Sequence, residues 1–391
     1  MRKFGSSISK ESLSKMRIGI DATPILLRKG GIGYYTYNLL DHLTRVDTQN
    51  EYILFETTQK EPESPIPFIS RPNVRSIYTP KMLQKWRCRK ERIDLYHGTN
   101  FRLRGKGRKG NIVTIHDLAF KHYPHFLKKK FGQFLSFLKT KRDVQRANRV
   151  IAVSAHTAKD VVEFFKIDTE KVRVVYHGVD PDFRPDVPRA SILEMKEKYH
   201  ILAPQYILWV GTLEPRKNLR TLVRMYDQLK SLHDEYHLIL AGGLGWQYED
   251  ILQMTQTLGS KVQITGYLPR EDLVSLYAGA ALFVYPSLYE GFGMPLLEAM
   301  ASGVPIVAAR TSSIPEVIGN AGILVDPLNI AEMGEAVRRV LTDRSVSSSL
   351  REKGMARARE FTWDRAARET LRIYQEVIDR VGNDDAESSH H

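Results

Sequence analysis

The segment ALFVYPSLYEGFGMPLLEAMASGVPIVAA, residues 281–309, decides the fold. Its first apolar run, 281–287, predicts a buried strand that is followed by a glycine-containing turn. Pro295 suits the first position of a helix, and Gly303 suits the C-terminal end of that helix. A second apolar run, 305–310, predicts the next strand. Strand, loop, helix and strand in this order are typical of parallel α/β sheets, in which ligands bind beyond the carboxyl ends of the strands.

The same alternation of strand and helix patterns extends over the rest of the chain. Further apolar runs that predict strands occupy residues 17–22, 51–56, 73–78, 94–98, 111–117, 149–154, 171–178, 206–211, 237–243, 261–267 and 321–326. Strands that alternate with helices predict parallel, doubly wound sheets. The stretch DPDFRPDVPRAS, 180–191, holds three prolines without apolar periodicity and predicts a linker. We therefore expect two α/β domains, followed by an amphipathic helix over 364–381.

Size and composition agree with two domains. The chain has 391 residues, of which 42% are apolar, and a chain of this length exceeds what one hydrophobic core usually organises.

The single cysteine, Cys88, cannot form an internal disulfide or a cysteine-based metal site, which favours a reducing compartment. No run approaches the roughly 18 to 20 apolar residues of a membrane-spanning helix, and the N-terminus lacks the core of a signal peptide. We expect a cytoplasmic protein.

Positive charge is concentrated in the N-terminal half. The net charge is +13, but the first 190 residues carry +18 and the remainder −5. The basic runs are 102–110, 128–130 and 139–142. No aromatic-interleaved basic motif, zinc finger or recognition helix accompanies them, so we expect no nucleic-acid partner. An anionic membrane surface or a phosphate-bearing acceptor is the expected partner, and a merely solvated surface is the alternative.

Two glutamates flank the glycine turn of the 281–309 segment. Glu298 falls in the first turn of the predicted helix, and Glu290 lies on the loop before it. Because N–H groups at a helix start attract phosphate, we expect residues 294–297 to face a diphosphate. Glu298 can then accept both hydroxyls of a ribose, while Glu290 can hold hydroxyls of a transferred sugar. Capping and solvation are the alternative roles for either carboxylate.

A second strand-turn-helix pattern, ILWVGTLEPRKNLRTLV at 207–223, places two cations at the exit of a strand. Arg216 and Lys217 are positioned there to neutralise the charge that builds on a departing diphosphate. A solvated helix start is the alternative, although cations at a helix N-terminus oppose the helix dipole.

The N-terminal domain offers weaker candidates. The stretch KGGIGYYTYNLLDHL, 29–43, places Gly30 and Gly31 between a strand and a helix, but it is not the dinucleotide motif G-x-G-x-x-G. His116 and Asp117 end another predicted strand and are placed to face the same cleft. A structural histidine is the alternative for His116.

These segments together resemble the retaining glycosyltransferases of family four, the glycosyl transferases group 1. The resemblance runs from about Met16 to Val381 and is most specific in EGFGMPLLEAMASGVPIVA. Other segments agree in order and spacing: GGIGYY, VVYHGVD, GTLEPRKNL, ITGYLPREDLVSLYAGAALFVYPS and IPEVIGNAGILVDP. The resemblance implies the GT-B fold, in which two Rossmann-like domains with doubly wound parallel sheets face each other and the last helix crosses back onto the N-terminal domain.

Composition and the resemblance together predict how the chain is divided. The expected segments are a polar extension at 1–15, a Rossmann-like acceptor domain at 16–188, a Rossmann-like nucleotide-sugar-binding domain at 189–361, a helix packing back on the N-terminal domain at 362–381, and a tail with a tag remnant at 382–391. The two domains would close over a cleft by hinge motion at 180–190.

A set of site residues follows from the same resemblance. The residues implied to act in catalysis are His116, Arg216, Lys217 and Glu290. Those implied to bind the donor are Gly30, Gly31, Gly211, Thr212, Arg216, Lys217, Glu290, Gly291, Phe292, Gly293, Met294, Pro295, Leu296 and Glu298. Many members carry arginine at the position of Thr212, so Arg216 is expected to supply the second cation. Many members also carry asparagine at the position of His177, whose role stays open.

The implied reaction is the transfer of a hexose with retention of configuration, without metal or cofactor. A front-face displacement is expected, in which the departing diphosphate helps to deprotonate the acceptor; a glycosidase-like acid pair is the rival mechanism. The linker triplet DPD at 180–182 does not follow a strand, so we expect no metal ligand there.

The first expectation for the donor is GDP-mannose, with UDP-glucose, UDP-galactose and UDP-N-acetylhexosamines as open alternatives. The expected acceptor is a glycan or a lipid-linked glycan, reached from the cytoplasm or from the inner face of the cell membrane. A GT-B isomerase or phosphorylase and a non-catalytic nucleotide-sugar-binding protein are the alternative functions. The sequence does not predict the oligomeric state.

Overall fold

The computed structural model describes residues 15–27, 30–57, 66–124 and 130–388. The expected polar extension thus lies outside the described residues except for Lys15, and so do Lys128, Lys129 and the two histidines of the tail. The described chain forms two parallel sheets with helices packed against them.

The first sheet has seven strands, all parallel, in the order β3-β2-β1-β4-β5-β6-β7. These strands are β1 Arg17–Asp21, β2 Glu51–Glu56, β3 Val74–Tyr78, β4 Leu95–Gly98, β5 Gly110–Ile115, β6 Arg149–Ala152 and β7 Val172–Val174. The strand order reverses direction between β1 and β4. The crevice at such a switch point is where ligands bind in doubly wound folds.

The second sheet has six parallel strands in the order β10-β9-β8-β11-β12-β13. They are β8 Gln205–Val210, β9 Tyr236–Ala241, β10 Val262–Gly266, β11 Leu282–Tyr285, β12 Ile306–Ala309 and β13 Ile323–Val325. This is the order of a dinucleotide-binding Rossmann sheet, with its switch point between β8 and β11. Every run that the sequence predicts as a strand overlaps one to within one residue at its start or includes it, and the predicted fold class of two doubly wound parallel sheets is confirmed.

Helices connect the strands in both sheets. They are α1 Gly31–Val46, α2 Gln84–Lys90, α3 Ala119–His122, α4 Lys130–Arg146, α5 Ala155–Phe165, α6 Arg189–Lys198, α7 Leu219–Gln228, α8 Glu249–Thr257, α9 Arg270–Ala278, α10 Met294–Ala301, α11 Ile314–Ile318, α12 Ile330–Thr342, α13 Arg344–Ala358 and α14 Trp363–Ser388. Short 3-10 turns occupy Thr23–Leu27, Pro67–Ser70, Lys81–Leu83, Thr169–Lys171, Pro215–Lys217, Lys230–Leu232 and Gly259–Lys261.

Helix α10 lies directly behind the glycine turn and has the expected boundaries to within one residue. It begins at Met294, so that Pro295 takes its second position rather than the predicted first. Gly293 caps its start with φ of 99° and Gly303 follows its end with φ of 68°, values in the left-handed region that favours glycine. The glycines on either side therefore fix where this helix starts and stops.

The last helix, α14, crosses back onto the first sheet as the fold class requires. Its buried side chains Trp363, Ala367 and Val377 belong to the same core cluster as Ile18 of β1. The hydroxyl of Tyr374 lies 2.7 Å from Nδ1 of His97 in this core. The N-terminal sheet is thus covered by residues from the far end of the chain.

Helix α14 is longer than the sequence predicts, because it continues through Ser388 instead of giving way to a tail at 382. A single glycine inside a helix, here Gly382, costs only about 1 kcal/mol relative to alanine. No proline follows to stop the helix. The polar composition of this segment indicated solvent exposure, and it did not exclude a helix.

The predicted linker, 180–191, is irregular as far as residue 188, and its last three residues form the start of α6. Arg270, at the start of α9, pairs with Asp180 and Asp182. The two carboxylates of the linker triplet are therefore engaged by a guanidinium group of the second domain.

Candidate active site

A cleft of about 650 Å³ lies between the carboxyl ends of the two sheets. Its walls come from both domains. The predicted site residues that line it are Gly30, Gly31, His116, Gly211, Thr212, Arg216, Lys217, Glu290, Gly291, Phe292, Gly293, Met294, Pro295 and Glu298. Leu296 is the exception, because its side chain is fully buried in the core and its N–H donates to the carbonyl of Gly293. The resemblance implies that Leu296 contacts the donor through its backbone, and this contact stays a prediction.

The two cations and the first glutamate meet because β8 and β11 are neighbours. The loops that leave the carboxyl ends of these strands carry Arg216 with Lys217, and Glu290, respectively. Nζ of Lys217 donates to Glu290 Oε1 at 2.7 Å, and Nη1 of Arg216 donates to Glu290 Oε2 at 2.9 Å. All three side chains are largely buried, so these contacts act in a poorly screened environment.

The charges of this cluster support one another. Burial would raise the pKa of Glu290, but Arg216 and Lys217 together lower it to about 2. Burial lowers the pKa of Lys217, while the nearby Glu290 carboxylate favours the ammonium form. Each carboxylate oxygen of Glu290 has a second acceptor site beyond its bond to a cation. Glu290 can therefore accept a hydroxyl of a ligand without releasing either cation.

Glu298 lies on the inner face of α10, at a separate position in the cleft. Burial raises its pKa to about 7, although the hydroxyl of Tyr277 donates a hydrogen bond to Oε2 at 2.9 Å and Arg270 also favours the ionised form. The carboxyl group is therefore poised between its two protonation states at neutral pH. A pair of donors such as a ribose diol would favour the ionised form.

This position of Glu298 leads to a pH prediction. If a ligand's diol binds the ionised carboxylate, nucleotide affinity should fall as the pH drops below about 7, by at most tenfold per pH unit, because the proton must first leave. Calorimetric titration with a nucleoside diphosphate between pH 5.5 and 8, roughly spanning this pKa, would measure the effect. The Glu298→Gln variant supplies the control for titration of the phosphate itself. An identical pH profile in wild type and variant would refute the assignment.

His116 lies at the end of β5, where it is buried and faces the cleft. Burial lowers its pKa to about 4, so the ring is neutral at pH 7. Its Nε2 lies 2.8 Å from the carbonyl oxygen of Thr99, which can only accept, and Nε2 therefore carries the proton. Nδ1 is left as an acceptor. His116 is thus suited to receive a hydrogen bond from a sugar hydroxyl and not to act as a general acid.

The two domains touch across the cleft at Gly291. A Cβ atom at this position would lie 1.7 Å from the carbonyl oxygen of His116. The hydroxyl of Thr157 also donates to the Gly291 carbonyl at 3.1 Å. No side chain larger than hydrogen fits at Gly291 while the domains are this close.

Several cleft residues were not selected from the sequence. Glu214 accepts from Arg216 at 2.6 Å, and Tyr285 accepts from Lys217 at 3.2 Å. Glu214 follows the end of β8 and Tyr285 ends β11, so their positions at strand ends could have identified them as cleft residues. Other lining residues that were not predicted include Tyr34, Gly242, Gly243 and Tyr267. Asp117, which the sequence predicts to face the cleft beside His116, also lines it.

His177, whose role stayed open, is buried at the edge of the cleft. Its ring packs against Tyr35, Phe292 and Trp363. Neither ring nitrogen has a hydrogen-bond partner among the described residues. Burial lowers the pKa of His177 well below its usual range, so the ring is neutral.

Comparison with known proteins finds matches to two sugar-transferring families over both domains. Residues 29–183 match the family Glycosyltransferase Family 4, and residues 192–359 match Glycosyl transferases group 1. The O-antigen chain mannosyltransferase B of Escherichia coli is 32% identical over 296 residues, which cover 75% of this chain and 77% of that protein. The chain belongs to the family-four glycosyltransferases. It is thus an enzyme of the GT-B fold that transfers sugars.

A second sequence relative and a solved structure show further similarities of this glycosyltransferase. The serotype-specific mannosyltransferase WbdA of Escherichia coli is 31% identical over 250 residues, which are 62% of this chain but only 31% of WbdA. The sucrose-phosphate synthase of Thermosynechococcus elongatus superposes with a TM-score of 0.74 at 21% identity, over 94% of this chain and all of the other. The second likeness concerns the fold alone.

Among the described residues of the glycosyltransferase, none of the helices is both long and apolar enough to cross a bilayer.

Proposed function

We propose that this glycosyltransferase transfers mannose from GDP-mannose, with retention of configuration, to a hydroxyl of a glycan or lipid-linked glycan. The observation that carries the proposal is the Arg216, Lys217 and Glu290 cluster at the switch point of the second sheet. The two relatives compared above are both named mannosyltransferases, which favours mannose as the sugar.

In the proposed reaction the bond between the sugar's anomeric carbon and the diphosphate oxygen breaks on the same face on which the acceptor attacks. The acceptor hydroxyl forms the new bond, and its proton passes to an oxygen of the departing diphosphate. Arg216 and Lys217 stabilise the negative charge that the diphosphate gains. Glu290 and Nδ1 of His116 hold sugar hydroxyls, and Glu298 holds the ribose. Closure at Gly291 would exclude water, which otherwise competes as acceptor.

A screen of nucleotide sugars tests the donor. A selective ligand at 100 times its Kd adds about 2.7 kcal/mol of stability, which is readily seen as a thermal shift. We expect GDP-mannose and GDP to stabilise the protein most. A larger shift with UDP-glucose, UDP-galactose or a UDP-N-acetylhexosamine would reassign the donor within the same fold.

Transfer itself distinguishes this proposal from its rivals. Release of GDP should depend on an added glycan acceptor, because the acceptor supplies the attacking oxygen. A GT-B isomerase or phosphorylase would convert sugar without that dependence, and a binding protein would retain the donor without turnover. Either result would overturn the proposal.

Metal independence and retention can be tested together. Transfer is expected to be unchanged in EDTA, because in the proposed mechanism Arg216 and Lys217 supply the positive charge that a metal would otherwise provide. NMR of the product formed during the first turnovers should find the anomeric configuration of the donor. Loss of activity in EDTA with rescue by Mn²⁺, or an inverted product, would contradict this mechanism.

We also propose that the enzyme docks on an anionic membrane surface, where a lipid-linked acceptor would be available. The basic run at 102–110 is less accessible than its composition suggested. Its arginines pair with carboxylates, Arg102 with Asp143, Arg104 with Asp21 and Arg108 with Asp94.

The basic run at 139–142 lies on α4. Its residues Lys139 and Arg142 remain exposed, beside Leu135 and Leu138, which are 41% and 44% exposed.

A second exposed surface fits a membrane interface better. Residues 81–90, hereafter the 81–90 patch, expose Met82 to 94% and Trp86 to 56%. The exposed cations of this patch are Lys81, Lys85, Arg89 and Lys90, and the patch contains no acidic residue. Tryptophan with adjacent lysine and arginine is typical of surfaces that lie at the boundary of lipid head groups and acyl chains.

Co-sedimentation with vesicles tests this docking. Binding should appear with phosphatidylglycerol, be absent with phosphatidylcholine alone and fade in about 0.5 M salt. The triple variant Lys85→Ser/Trp86→Ser/Arg89→Ser should bind at least about 30-fold more weakly, since each lost cation contributes about 1 kcal/mol. The exposed α13 residues Arg351 and Lys353 provide a matched control when replaced by serine. Wild-type protein that stays in the supernatant at low salt would exclude docking.

A further inference from the structure

Two histidines and an aspartate converge at the seam between the domains, outside the donor cleft. His122 ends the short helix α3, while His156 and Asp160 lie one turn apart on the same face of α5. Nε2 of His122 is 3.0 Å from Oδ2 of Asp160, and Nε2 of His156 is 3.6 Å from the same oxygen. The three candidate ligand atoms all lie within 4.8 Å of one another.

These separations suit a tetrahedral metal ion. Zinc binds imidazole nitrogen and carboxylate oxygen at about 2.0 to 2.1 Å, so two ligand atoms of a tetrahedral site stand about 3.3 to 3.4 Å apart. The nitrogen-to-oxygen distances at Asp160 fall on either side of this value. A metal ion can therefore be held between these groups with movements of a few tenths of an ångström in these two contacts.

The Asp160 carboxylate is held by its neighbours, while the two histidine rings are open to solvent, so that a metal ion can reach the three side chains. The Asp160 side chain is only 4% exposed, whereas the rings of His122 and His156 are 35% and 28% exposed. The hydroxyl of Tyr289 donates to Oδ2 of Asp160, and the Tyr289 ring stacks on His122 with 5.0 Å between centroids. Hydrogen bonds of this kind to a ligating carboxylate orient it for metal binding.

We propose that His122, His156 and Asp160 form a binding site for a divalent ion of the zinc class. Two imidazoles and one carboxylate are a donor set that suits zinc and related transition metals and disfavours calcium or magnesium. Water completes the fourth position, as in other sites with three protein ligands. None of the three residues lines the donor cleft, so the site is distinct from the sugar-transfer centre.

The location gives the site a physical link to the cleft. Tyr289 belongs to the second domain and immediately precedes Glu290. Through its hydrogen bond to Asp160, Tyr289 joins the metal ligands of the first domain to the loop that carries Glu290. A metal ion that fixes Asp160 also fixes this contact between domains.

Direct binding measurements on the full chain test the site. Titration with Co²⁺ should produce the intense visible absorption of a four-coordinate ion, and Zn²⁺ should abolish it by competition. Calorimetric titration with Zn²⁺ should give one tight site per chain. In the double variant His122→Gln/His156→Gln, affinity should fall at least about 100-fold, because even second-shell changes cost 10 to 100-fold. Glutamine retains a polar side chain at both positions, and circular dichroism with a thermal melt checks folding.

A matched control excludes weak binding elsewhere. His42 forms a similar histidine-carboxylate pair with Asp364 at 2.6 Å. Among the described residues this pair has no third histidine, cysteine or carboxylate close enough to complete a metal site, so His42→Gln should leave Zn²⁺ affinity unchanged. The terminal histidines are common to all variants and cancel in the comparison. Wild type that binds Zn²⁺ no better than the double variant would refute the site and leave Asp160 with its hydrogen bonds to His122 and to Tyr289 of the second domain.

Discussion

Lys217→Ala should lower the turnover number for sugar transfer by about 100-fold or more. Removal of a single donor that faces charge developing in a transition state typically costs 100 to 1,000-fold, about 2.7 to 4 kcal/mol. Lys217 is only 7% exposed and lies 2.7 Å from Glu290, so its charge acts where water screens little. Initial rates at saturating donor and acceptor would measure the loss.

The same substitution should affect binding less than turnover. The donor already carries its diphosphate charge in the ground state, but a further charge appears only as the sugar departs. Arg216 remains paired with Glu290 and Glu214 in the variant, which prevents an isolated buried carboxylate. Replacement of the exposed Lys230, also in the second domain, by alanine controls for a general loss of positive charge. If Lys217→Ala weakens GDP binding as much as it slows transfer, Lys217 acts in binding only.

Glu298→Ala should weaken nucleotide binding by about 2 to 4 kcal/mol, or roughly 30 to 1,000-fold in Kd, because two charge-assisted hydrogen bonds to a ribose diol are lost. Calorimetry with GDP measures this directly. The folded protein should tolerate the change, since burial holds the pKa of Glu298 near 7 and its ionised form gains little from the surroundings.

Two comparisons isolate the contribution of the diol. GDP and a 2′,3′-dideoxy analogue should differ in affinity for wild type and bind alike to Glu298→Ala. Replacement of the exposed Glu249 at the start of α8 by alanine should leave both affinities unchanged. Unchanged GDP affinity in Glu298→Ala would defeat the ribose assignment.

Strand positions and the two-domain fold were predictable because each buried strand is a short apolar run bounded by turn residues. Gly303 was the clearest case, since it takes the left-handed conformation that the pattern indicates at a helix end. The end of α14 was not predictable, because a polar sequence such as that after Val381 is compatible with either a solvated helix or a tail.

The cleft was predictable in part for a different reason. Residues at the carboxyl ends of adjacent parallel strands must meet, which brought Arg216, Lys217 and Glu290 together as the motif order suggested. Ion pairing between Glu290 and both cations was not foreseen, since sequence order says nothing of side-chain direction. The His122, His156 and Asp160 cluster was also missed, because its members lie up to 38 residues apart on different helices and match no ligand spacing.

The return of α14 to the first sheet has a consequence for how this protein is synthesised and recombined. Trp363, Tyr374 and Val377 complete a core that starts at Met16, so the first domain lacks part of its interior until almost the whole chain has left the ribosome. The strands and helices of the second domain lie within residues 189–358, although its core also includes Phe183 and Phe361, so we expect most of this domain to assemble earlier. A chimera that exchanges donor specificity with a relative therefore needs two junctions, one near the linker and one before Trp363, so that the helix stays with the sheet it covers.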